Sequence, residues 1–196
     1  SEAEGTDPIE ARKAQFEQSD SLGDLVPLVD ELESKQAWNE LSEYAELLFK
    51  RTGSVRDAEC LASALINSHK YGQLIKFIEV NIDLIPQSRK LRMLFSWALY
   101  HEGALVKARA ELAWLSDDPD NPNYRALQVS LGIALGDWNS LSVIAANEYK
   151  ERDKRSAKDL MIAAQIACNV GSPYAKHLII AAVAKAPDNA AILTAA

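Results

Sequence analysis

A beat of about 34 residues runs through this chain and constrains its fold more than any single motif. An aromatic-x-x-Leu pattern, placed just past a Gly or polar turn, occurs as Trp38-Asn-Glu-Leu41, Tyr71-Gly-Gln-Leu74 and Trp138-Asn-Ser-Leu141. A looser copy spans Tyr174 to Leu178. Trp38 to Tyr71 is a step of 33, and Tyr71 to Trp138 is 67, or two steps. The intervening copy is expected at Ala104-Leu-Val-Lys-Ala108. Prolines keep the same time: Pro86 to Pro119 is 33 residues and Pro119 to Pro187 is 68. A period of this size marks stacked units, none of which can bury its apolar face alone.

Each unit reads as two helices. In 88–102, Leu91, Leu94, Phe95, Ala98 and Leu99 recur at the spacing of one helical face. Glu102-Gly103 breaks that helix, because glycine readily takes the left-handed conformation that ends one. A second helix over about 104–115 carries Leu105, Ala108, Leu112 and Leu115. Asp117-Asp-Pro-Asp-Asn-Pro122 stops it, proline being unable to continue a helix while Asp and Asn cap the next. Leu131-Gly-Ile-Ala-Leu-Gly-Asp137 and Asn169-Val-Gly-Ser-Pro173 are expected to be further turns within hairpins. Few Gly and Pro, with abundant Ala and Leu, agree with an all-helical chain.

These features resemble the tetratricopeptide repeat (TPR) family, whose 34-residue unit favours small residues at three helix positions and a proline near its end. Residues 156–189 match best, with Ala163, Ala175, Ala182 and Pro187 in those places. Unit 55–88 keeps Ala62 and Pro86 but has Leu74 and Asn81. Unit 89–121 keeps Ser96 and Ala108 with a one-residue slip before Pro119. In 122–155, Val129, Leu141 and Glu148 replace small residues and the charged run Lys150–Arg155 replaces the proline turn, so locally wider packing is expected. A hairpin at 21–54 matches through Trp38 and Leu41 and its length.

The resemblance implies an all-α fold, an α-α right-handed superhelix built as a TPR-like solenoid. The expected organisation is an extra helix within 1–20, five hairpins at about 21–54, 55–88, 89–121, 122–155 and 156–189, and a cut further repeat at 190–196. Asp7-Pro8-Ile-Glu10 opens the extra helix, over about 8–18, with an N-cap and a first-turn proline. The apolar end around Ile192 and Leu193 leads us to expect a piece of a longer protein, from which a signal or anchor could have been removed.

Chemistry is sparse. His69, His101 and His177 have no acidic or Cys partner at ligand spacing and read as surface or helix-end residues. Cys60 and Cys168 lack the spacing of a metal site and read as small buried residues, which suits the cytoplasm. Phosphate-loop, nucleophile-elbow, zinc-protease and calcium-loop patterns are missing from the sequence, so no catalytic residue, metal or cofactor is expected. A net charge of −7 opposes nucleic-acid binding, as do basic clusters confined to Arg89–Arg92 and to Lys150–Arg155, the latter interleaved with acids in an expected loop. No apolar run approaches the length that crosses a bilayer, so no membrane contact is expected. Residues 1–54 carry 13 acidic and 5 basic side chains, either a solvated helical face or a field that steers a basic partner.

What remains is surface for a protein or peptide. In the TPR family the first helix of each hairpin lines the groove. Carried onto this sequence, the inward positions hold Arg56, Glu59, Ser63, Ile66 and Asn67, then Lys90, Met93, Trp97, Tyr100 and His101, then Asn123, Ala126, Ser130, Ile133 and Ala134. Trp97 with Tyr100 is the most partner-like pair, unless both pack between repeats. The family's Lys and Asn clamp for a terminal carboxylate is not reproduced. A protein-interaction scaffold is therefore expected; the alternatives are the regulatory or substrate-recruiting arm of a larger enzyme and a structural spacer. Oligomeric state is not legible.

Overall fold

The computed structural model describes residues 7–186. Among these it contains eleven α-helices, two short 3-10 segments and no strand. Pro187, Ile192, Leu193 and the expected repeat at 190–196 lie outside the described residues. The chain divides into two compact units, residues 1–124 and 125–196.

In the first unit α1 (Pro8–Ser19) precedes three helical pairs: α2 (Leu22–Ser34) with α3 (Trp38–Thr52), α4 (Val55–Asn67) with α5 (Tyr71–Val80), and α6 (Arg89–His101) with α7 (Leu105–Ala113). The second unit holds most of α8 (Pro122–Leu135), then α9 (Trp138–Lys150), α10 (Ala157–Asn169) and α11 (Ala175–Lys185).

One turn design joins the two helices of every pair. The backbone N–H groups of Ala37, Lys70, Ala104, Asp137 and Ser172 each donate to the carbonyl five residues earlier, at 2.8–3.0 Å. The residue before each donor is left-handed: Gln36, His69, Gly103, Gly136 and Gly171. This is the Schellman closure, which satisfies carbonyls the helix end leaves unpaired. Gly136, with φ +63°, does this for the fourth pair, and α8 runs on through Leu135. The turn expected over 131–137 is therefore shorter, at 136–137.

The aromatic-x-x-Leu beat becomes physical here. Trp38, Tyr71, Leu105 and Trp138 are the first residues of α3, α5, α7 and α9. Three residues further, Leu41, Leu74, Ala108 and Leu141 are buried, as is Leu178 in α11. Each buried leucine contributes roughly 1.5–3 kcal/mol. The first helices carry a marker of their own: the hydroxyls of Ser21, Ser54, Ser88 and Ser156 accept from the N–H three residues on, at 3.0–3.3 Å. Asn121 serves α8 in the same way through the N–H groups of Asn123 and Tyr124. At Ser156 the box is reciprocal, with Asp159 returning a bond to the Ser156 N–H.

Within the second unit two expectations change. Leu141 does not force a wider gap, because Gly132 lies opposite it: a Cβ there would stand 2.8 Å from Leu141 Cδ2. The charged run is not an open loop either. Arg152 to Lys154 form a 3-10 turn, and Arg155 is buried with its Nε donating to Glu148 Oε2 at 2.8 Å. Arg125 Nη2 also reaches that oxygen, at 3.3 Å, so the carboxylate at a small-residue position is held by two guanidinium groups. Cys60 is buried as expected, but Cys168 is exposed. Its helix turns Ala163, Ala164 and Ala167 to the core, which leaves Cys168 on the outer side beside Ile179 and Ile180 of α11.

Candidate functional site

The transferred groove positions of the first unit fall on α4, α6 and the start of α8, and neighbouring first helices are tied across that face. Arg56 Nη2 of α4 stands 3.7 Å from Asp30 Oδ1 of α2. The Ser88 hydroxyl at the head of α6 donates to Glu59 Oε1 of α4 at 2.5 Å. Ser63 is half-buried, and its carbonyl accepts from the Asn67 amide at 2.8 Å. Arg56, Asn67, Lys90 and Asn123 are exposed, whereas Met93, Trp97 and Tyr100 are half-buried.

Between α6 and the segment leading into α8 lies a cleft of about 390 Å³. Lys90, Met93 and Asn123 line it together with Leu94, Leu115 and Tyr124. Arg89 at its edge forms a two-bonded pair with Asp117, at 2.9 and 3.1 Å, which holds the Asp117 carboxyl below its usual range. The triple-Asp segment forms the expected turn, and Asp117 adds a pairing with Arg89 that the sequence did not suggest.

Next to the cleft face, at the turn end of α6, five rings meet. The His101 ring stacks on Tyr71 at 4.3 Å and 11° and faces Trp97 at 5.9 Å and 27°. Trp97 meets Tyr100 edge-on at 5.7 Å. His69 Nδ1 lies 2.6 Å from the Tyr71 hydroxyl. The structure therefore brings Trp97, Tyr100 and His101 together and adds Tyr71 and His69, which the groove positions alone did not include. The signal was present: Tyr71 carries the turn motif, and His69 holds a left-handed position, φ +58°, that later turns give to glycine. The Tyr71–His101 stack joins the second and third pairs, while Tyr71, Trp97 and Tyr100 are half-buried and His69 and His101 are exposed.

Ser130 belongs to the second unit, where its hydroxyl donates to the Ala126 carbonyl at 2.9 Å. His177, also there, meets Tyr149 at 5.5 Å. Residues 1–124 carry 22 acidic and 13 basic side chains, against 6 and 8 for residues 125–196. Cys60 feels that imbalance. Burial, and then the charges of Glu33 and Asp57, push its thiol up to about 12 against the opposing pull of Lys90. Such a thiol is a poor nucleophile. Among the described residues no group of three or more His, Cys, Asp or Glu is placed to hold a metal, and no helix is long and apolar enough to cross a membrane.

No protein-family model matches the chain, and no curated protein matches it. Among solved structures it is similar to YrrB, a TPR protein with an unusual peptide-binding site. The match has a TM-score of 0.62 at 13% identity and covers 95% of this chain and 98% of that one. At that identity the likeness is one of fold. The chain has the all-α, TPR-like solenoid architecture of helical hairpins.

Proposed function

We propose that this protein is a non-catalytic interaction scaffold that holds a peptide or protein segment against the first-helix face of its 1–124 unit. The observation that carries the reading is the partly open cluster of Trp97, Tyr100, His101 and Tyr71 beside the cleft lined by Lys90, Met93 and Asn123. Large amphipathic rings held at low conformational cost are the side chains that dominate binding hot spots. Arg56, Ser63 and Asn67 extend the same face along α4. Ser130 is assigned to a contact of the second unit. The peptide-binding site of YrrB supports the class of partner without fixing its sequence. Two free thiols, Cys60 and Cys168, suit the cytoplasm as the place of work.

The test is affinity capture with the native protein, Trp97→Ala and Tyr100→Ala, each checked for fold by far-UV circular dichroism. Loss of the same captured partner by both folded variants is expected. If both stay folded and retain every partner, the aromatic face is not the binding surface.

A further inference from the structure

We propose that the segment held on this face is basic, and that one of its Lys or Arg side chains seats against the Trp97 and Tyr100 rings. This rests on the scaffold reading and names the chemistry of its partner. Three observations lead to it. First, the acid surplus of this unit lies in residues 1–54, with 13 acidic against 5 basic side chains, and α2 brings its exposed Asp30 beside Arg56, so a cationic segment is attracted to that end of the face and an acidic one repelled. Second, the basic groups on the face are offset by acids. Arg56 is drawn to Asp30, and Lys90 shares its surroundings with Asp30, Glu33 and Asp57 around Cys60. Glu33 on α2 is exposed, at the end of that helix nearest the pair's turn.

Third, this fold repeatedly places a cation over an aromatic face. Arg51 lies over Phe16 at 5.5 Å, Arg92 over Trp114 at 5.2 Å and Lys107 over Phe95 at 5.5 Å. Trp97 and Tyr100 instead meet edge to face with the His101 ring against both, and each is only half-buried, which leaves ring surface for a partner's cation. Trp is the strongest partner for a cation among the side chains, and Arg or Lys stems also cover apolar ring surface. A neutral apolar segment would satisfy the rings but gain nothing from the surrounding charge. An acidic segment or a nucleic acid would meet that charge as repulsion.

The experiment is an array of randomised 12-residue peptides probed with the labelled full chain and with Trp97→Ala, Tyr100→Leu and Glu33→Gln, all checked by circular dichroism. Expected are binders enriched in Lys and Arg, weakened about tenfold by Trp97→Ala, weakened less by Glu33→Gln, and weakened by raising salt. Should Trp97→Ala unfold, Tyr100→Leu and Glu33→Gln carry the comparison, and both must weaken basic peptides. Ring-dependent binders that are neutral or acidic overturn the basic assignment while leaving the scaffold reading in place. Basic peptides bound equally by the ring variants overturn the cation seat. If no peptide of any class depends on Trp97 or Tyr100, the scaffold reading of this face falls as well.

Discussion

Replacing Gly132 by alanine should destabilise the native protein yet stabilise a Leu141→Ala variant. Gly132 lies inside α8 in an ordinary helical conformation, so it is not needed for a turn. In an isolated helix, Gly→Ala would gain about 1 kcal/mol. Here the new Cβ would stand 2.8 Å from Leu141 Cδ2 and 3.1 Å from Cγ, well inside contact distance. Leu141 is buried with little room to move, and such overpacking costs about 1–3 kcal/mol. The net effect is a loss of about 1 kcal/mol. Leu141→Ala alone removes a buried side chain and costs about 3 kcal/mol. In that background the clashing atoms are gone, so Gly132→Ala returns about 1 kcal/mol, and the coupling between the sites is about 2 kcal/mol. Urea unfolding followed by circular dichroism on the four proteins measures the cycle, with hydrogen exchange of α8 and α9 as a local readout. A stabilising Gly132→Ala in the native background, or effects that add within about 0.5 kcal/mol, would refute the argument.

Removing one member of the buried charge cluster should be more severe. Glu148→Leu takes away the carboxylate that Arg125 and Arg155 share, the latter's side chain only 7% exposed, and should cost the second unit about 3 kcal/mol in chemical denaturation. Gln36→Gly should raise stability by about 0.5–1 kcal/mol, since φ +55° is a position glycine takes without strain; a lower melting temperature would contradict this. Cys168 should react with a disulfide reagent within the mixing time of a native sample, whereas Cys60 should wait for unfolding; equal rates would show that burial does not protect it.

The sequence made the turns legible because their signal is local. Gly103, Gly136 and Gly171 mark three of the left-handed closures directly, and Trp38, Tyr71 and Trp138 mark the helices that follow the first, second and fourth. Gln36 and His69 hid two closures, because neither residue type advertises a positive φ. The serine beat of Ser21, Ser54, Ser88 and Ser156 was equally visible yet silent. A serine becomes a helix cap only once the helix start is known, and serines are common. What could not be read were the long-range compensations. That Gly132 makes room for Leu141, and that Arg125 and Arg155 converge on Glu148, depends on contacts between helices rather than on spacing along one. Of the ring cluster, the groove positions implied by the TPR resemblance include Trp97, Tyr100 and His101, but the Tyr71 ring that stacks on His101 comes from a different hairpin.

The five hydrogen-bonded closures are alike, whereas the joins between pairs are not. Gly53-Ser54 links α3 to α4, a 3-10 segment over Ile82–Gln87 precedes α6, an Asp-rich stretch precedes α8, and a 3-10 segment over Arg152–Lys154 precedes α10. The hairpin is thus the constant element of this fold. Its internal closure fixes the spacing of the two helices to the residue, so an insertion or deletion there breaks a bond network. Between hairpins, length can drift with little penalty. Insertions placed at the joins should therefore be tolerated where the same insertions at the closures are not.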